Sequence, residues 1–93
     1  MQTMILRVVS QTEAVSVPSR KSENGQVAKR VIRLKAPGGE YGDEYLATVF
    51  GNLALVNFEK DDLVVAALEF RTHESQGYLY QDIVAREIVK IKN

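Results

Sequence analysis

The residues best suited to chemistry lie between Gln26 and Ala36, where the side chains alternate with period two. Arg30, Ile32, Leu34 and Ala36 fall on one side, and Lys29, Val31, Arg33 and Lys35 on the other. A strand with this pattern buries one face and presents a basic one, which is the type of surface that neutralises phosphate charge. The stretch contains no acid, whereas Glu40, Asp43 and Glu44, and then Glu59, Asp61 and Asp62, gather elsewhere. A plainer reading also stands: alternating charge keeps the solvent face of any half-buried strand wet.

Other chemistries are poorly provided for. Nucleophilic catalysis needs a base within hydrogen-bond reach, and the single histidine, His73, sits in a polar stretch read as a hairpin loop with no motif around it. Without cysteine there is no thiolate nucleophile, disulfide or cysteine-ligated zinc. One histidine and scattered acids give no metal-ligand spacing. Glu59-Lys60-Asp61-Asp62 reads as a solvated turn. The segment Pro37-Gly38-Gly39-Glu40-Tyr41-Gly42 has glycines but no lysine after them, so it reads as a hairpin turn, not a phosphate loop. No catalytic residue, metal, cofactor or small-molecule substrate is expected, and binding is favoured over catalysis.

The elements that must position these residues read as strands. The chain has 93 residues, 45% of them hydrophobic, which suits one domain over residues 1–93 with a single core. Twelve basic and twelve acidic residues leave no net charge, which weighs mildly against nucleic acid unless the charges are segregated. The N-terminal residues lack the pattern of a signal peptide and no stretch approaches a membrane span, so a cytoplasmic protein with no membrane partner is expected.

Residues 4–17, rich in β-branched types, read as one long curved strand. Pro18 to Gly25 forms a polar loop ending in Asn24-Gly25, a turn dipeptide that accepts positive φ. The basic strand follows, and then the turn at 37–43. Tyr45 to Phe50 makes a third strand whose faces period two cannot assign. Leu53, Val56 and Phe58 could plug a barrel end from a short helix or turn. Leu63 to Arg71 alternates, with Val64, Ala66, Leu68 and Phe70 inward. Thr72 to Gly77 reads as a turn, and Tyr78 to Lys90 as the last strand. Five strands with a short helix or turn between the third and fourth fit an all-β, OB-fold Greek-key barrel, with an SH3-like barrel or a small sandwich as alternatives.

Several stretches resemble bacterial single-stranded DNA-binding proteins. Asn24-Gly25-Gln26-Val27-Ala28 is similar to the start of that family's second strand. Val49-Phe50-Gly51-Asn52-Leu53-Ala54 is similar to its Phe-Gly-Lys-Leu-Ala segment, and Lys60-Asp61-Asp62-Leu63-Val64 to its Lys-Gly-x-x-Val. Leu68 to Thr72, with Gly77 and Tyr80, resembles the end of its fourth strand and the following hairpin, and Met4-Ile5-Leu6 its first strand. The last hairpin, Gly77-Tyr78-Leu79-Tyr80-Gln81-Asp82-Ile83-Val84-Ala85, also resembles small single-strand-binding-like bacterial domains of unassigned function.

The resemblance implies an OB-fold that binds single-stranded DNA or RNA, in a replication or repair setting. Lys29, Arg33, Lys35 and Arg71 would line the groove, and Phe50, Tyr45, Tyr78 and Tyr80 would stack on bases. It departs from the family in a trimmed turn between strands two and three, a shorter helix, and Glu74 and Ser75 where an aromatic is expected. The sequence stops at Asn93 without the acidic tip through which such proteins recruit replication partners, so that role is not expected. The competing function is a protein-interaction module on the same barrel. Under either reading the apolar first strand would be an open edge unless paired, which implies a homo-oligomer, a dimer or a tetramer.

Overall fold

A computed structural model describes residues 1–38 and 41–92. Gly39 and Glu40, on which the expected turn at 37–43 partly falls, lie outside the described residues, as does Asn93. The elements are β1 (Gln2–Gln11), β2 (Val15–Pro18), β3 (Gln26–Lys35), β4 (Glu44–Phe50), a 3₁₀ turn (Gly51–Leu55), β5 (Leu63–Ser75) and β6 (Tyr78–Lys92).

The sheet order is β1-β5-β6-β4-β3-β2, and an additional pairing of β1 with β3 closes it into a ring. Every pairing is antiparallel except that of β4 with β6, which meet at Thr48 and Val84. Counting β1 and β2 as one interrupted strand, this is the five-stranded Greek-key barrel of the OB type. No helix among the described residues is long and apolar enough to cross a membrane.

The first strand is not continuous as expected from residues 4–17. It breaks at Thr12–Ala14, and both pieces pair with β3: β1 through Arg7 to Gln11 against Ile32 to Lys35, and β2 through Val15 to Pro18 against Gln26 to Lys29. A register shift between Val8 and Ser10 bends the strand. The Thr12 hydroxyl then accepts from the Val31 N–H at 3.0 Å, while the Thr12 N–H donates to the Val31 carbonyl at 2.9 Å. A short polar side chain thus replaces the ladder at the bend.

The core alternates as the sequence requires. Leu6 and Val8 of β1, Ile32 and Leu34 of β3, Val64, Ala66 and Leu68 of β5, and Ala85 and Ile88 of β6 are buried. Strand β4, whose faces the sequence leaves open, contributes Ala47 and Val49. Alanines at three facing strands keep the interior narrow enough to fill. Phe70, expected inward, instead sits half-exposed at the rim, edge-on to Tyr45 with ring centroids 6.3 Å apart.

The 3₁₀ turn closes one end of the barrel, though with different residues from those expected. Ala54 is the buried residue, Leu53 and Phe58 pack against the core, and Val56 is 44% exposed. Arg30 explains how the turn is held. Its Nε donates to the Thr12 carbonyl at 2.6 Å, and one terminal nitrogen donates to the carbonyls of Ala54 at 3.3 Å and Val56 at 3.1 Å and to Asn57 Oδ1 at 3.0 Å. The guanidinium fork therefore ties the bend of the first strand to the end of the turn.

Further along the same connection, Asp62 is buried. Its carboxylate accepts from the Glu59 N–H at 2.9 Å and lies 3.7 Å from Lys90 Nζ. The run from Glu59 to Asp62 is a turn as expected, but its last acid is anchored inside instead of solvated. Asp61 adopts φ 73, where the resembling motif has glycine.

Arg30→Ala should lower unfolding stability by about 1–3 kcal/mol, because the carbonyls it serves lose a charged donor. Arg30→Lys should recover less than half of that loss, since a point ammonium cannot reproduce the fork. Urea titration followed by circular dichroism checks both values.

Candidate nucleic-acid interface

Strand pairing decides which side chains share the outer surface. Residues opposite one another in an antiparallel pair point to the same side. Because Ile32 pairs with Ala47 and both are buried, the alternate pairs face out: Lys29 opposite Phe50, Val31 opposite Thr48, Arg33 opposite Leu46 and Lys35 opposite Glu44. Phe50 is 42% exposed, so a base could reach its ring. Lys29, Arg33, Lys35 and Phe50 are therefore brought onto one face, as expected.

Tyr45 is not on that face. It pairs with the buried Leu34, packs against the core and meets Phe70, so it serves the barrel instead of the surface. The exposed ring on the β3–β4 face is Phe50, accompanied by the exposed aliphatic Leu46.

The other expected residues lie on the β5–β6 hairpin, which runs past the barrel as a two-stranded arm. From Phe70 to Gln81 every residue is exposed. The pairing of Ser75 with Tyr78 leaves Gln76 and Gly77 as a two-residue turn, both at positive φ, which suits the right-handed twist of the strands. The turn is thus shorter than the expected Thr72 to Gly77, and His73 lies on a strand, not in a loop. Since β4 and β6 run parallel through Thr48 and Val84, the arm leaves the barrel at the Glu44 and Lys35 end of the basic face.

On the arm, Arg71 pairs with Asp82 and His73 with Tyr80, all on the side continuous with Glu69 and Val84. Tyr78 is 67% exposed and Tyr80 is 47% exposed. The Tyr80 ring stacks on the His73 imidazole at 4.9 Å with 16° between planes. His73, given no role from sequence, is thus part of the aromatic surface. Only the cross-strand register reveals it, because the two residues are seven apart in the chain.

Acids temper the cations. Arg33 Nε donates to Glu44 Oε1 at 2.6 Å. That hydrogen bond, with the charges of Arg33 and Lys35, holds the Glu44 carboxyl below its ordinary range despite some desolvation. Glu69 accepts from Arg86 at 3.1 and 3.2 Å and also pairs with Arg71. Its carboxyl is likewise lowered, chiefly by Arg86, which is itself raised by Glu69. Among the described residues no acid pairs with Lys29, which leaves its ammonium beside Phe50 without a counterion. The loop between β2 and β3 adds the exposed Arg20 and Lys21 at the same end.

Comparison with known proteins finds no family model and no curated relative that matches this chain. A carboxyl lowered on folding contributes stability that is complete above its unfolded value and is lost as pH falls through its folded value. Replacing Glu44 and Glu69 with Gln should therefore flatten the acid limb of a Tm-against-pH profile below the ordinary carboxylate range, while leaving the slope near neutrality unchanged.

Proposed function

We propose that this chain binds single-stranded nucleic acid, DNA or RNA, across the outer face of β3 and β4 and onto the β5–β6 arm, without catalysis and without a cofactor. The observation that carries the reading is the register of Lys29 with Phe50, a cation that no acid pairs with among the described residues beside an accessible ring, in line with Arg33 and Lys35 along one strand. A polyanion with splayed bases needs those two elements together: cations for phosphates and a ring for a base. The resemblance to bacterial single-stranded DNA-binding proteins supports the same surface and suggests a replication or repair setting in the cytoplasm.

Affinity for one subunit would be modest. Stacking is worth roughly 1–3 kcal/mol per base. Arg33 and Arg71 must in part give up Glu44 and Glu69 before they serve phosphates, and the chain carries no net charge to attract a polyanion from afar.

A second reading is favoured by a separate observation. The outer side of β1, β5 and β6 is apolar, with Ile5 opposite Val65 and Val65 opposite Val89, over a hollow of about 220 Å³ lined in part by Thr3, Ala67 and Glu87. Among the described residues, β1 from Gln2 to Leu6 is paired only with β5, which leaves its other edge without a strand partner. This surface suits a second copy, and a homo-oligomer built through it leaves the β3–β4 face outside. As a pure interaction module, the chain would use the apolar side and not the basic one.

Fluorescence anisotropy with labelled oligo-dT at low salt should show binding that weakens as salt rises. Lys29→Glu with Arg33→Glu should abolish it, and Phe50→Ala should weaken it about 5- to 150-fold, equivalent to roughly 1–3 kcal/mol. No binding at high micromolar protein removes the reading, and binding unchanged in the double variant moves it to another face. Sedimentation of the wild type against Ile5→Glu with Val89→Glu tests the oligomer: a dimer or tetramer should become a monomer.

A further inference from the structure

His73 and Asp82 form an arrangement that simple stacking does not require. The Asp82 carboxylate lies 2.5 Å from His73 Nδ1. An ionised carboxylate can only accept, so Nδ1 carries the proton and donates it. In a neutral imidazole that leaves Nε2 as a bare acceptor, and among the described residues nothing occupies it. The side chain is 49% exposed, while the ring plane is held by the Tyr80 stack.

We infer that His73, oriented by Asp82 and layered on Tyr80, is a base-reading subsite that favours amino-bearing bases over thymine and uracil. The inference rests on the nucleic-acid reading and names a specificity within it. A base lying in the imidazole layer meets Nε2 edge-on, and the N4 amino group of cytosine or N6 of adenine supplies the donor that this lone pair needs. Thymine and uracil present O4 at the corresponding edge, and their N3–H lies between two carbonyl oxygens that would face the lone pair and the nearby carboxylate. A plain stacking platform has no such preference, because every base has a π-face.

The test compares labelled oligo-dC and oligo-dU of twelve nucleotides by anisotropy at pH 8, where an imidazole is ordinarily neutral. The wild type should bind oligo-dC about 3- to 10-fold more tightly. His73→Phe keeps an aromatic layer but removes the acceptor, so the ratio should fall to about one with oligo-dU affinity within roughly twofold of wild type. Asp82→Asn replaces an acceptor-only carboxylate with an amide that can either accept from or donate to Nδ1, so the tautomer is no longer fixed and the ratio should fall toward one. A ratio near one in the wild type, or a ratio that survives His73→Phe, overturns the subsite while leaving the binding function intact. If neither oligonucleotide binds the wild type, the binding function itself falls and the subsite with it.

Discussion

Closure of the sheet is the constraint from which the rest follows. Once β1 pairs with both β5 and β3, every strand has one side committed to a common interior. Period-two geometry then leaves no freedom in what faces outward. Slipping β3 by one residue would bury Lys29, Arg33 and Lys35 and expose Ile32 and Leu34. Desolvating a row of cations is far costlier than any gain in pairing. The basic face is thus a consequence of the same register that seals the core.

The interior is narrow, and its ends need separate closures. At one end Arg30 gathers carbonyls from the strand bend and the 3₁₀ turn, and beside the β4–β5 connection Asp62 anchors a turn from within. Both are charged residues that serve the scaffold, and each is held by backbone groups together with one side chain. This separates the cations by role: Arg30 belongs to the scaffold, whereas Lys29, one residue earlier, belongs to the surface. Neighbours in sequence can differ this way because adjacent strand residues point to opposite sides.

The surface is balanced in charge. Glu44 lies against Arg33, and Glu69 sits between Arg71 and Arg86. Such exposed pairs add little to stability and are screened by salt. Their larger effect is to lower the positive potential that a polyanion would meet. Under the proposed function, a surface of this kind would grip at short range through rings and local cations and be a poor long-range attractor, so several copies on one strand would bind better than one.

Much of the barrel was legible in the residues themselves. The alternation in Gln26–Lys35 and Leu63–Leu68, the turn at Asn24-Gly25 and the short plug after Phe50 all follow from side-chain volume, branching and backbone permissiveness, which act locally. Four expected interface residues, Lys29, Arg33, Lys35 and Phe50, share one face, and Arg71, Tyr78 and Tyr80 lie together on the arm. Tertiary structure alone decided the rest. The orientation of β4 was undetermined because both of its sides are equally apolar, and pairing with β3 sent Tyr45 inward and Phe50 outward. The break at Thr12–Ala14 depends on Val31, nineteen residues from Thr12. The layer of His73 on Tyr80 exists only because a two-residue turn sets their register. Local chemistry determines which residues can form a strand and which side of it is wet; contacts between distant strands determine which wet residues become neighbours.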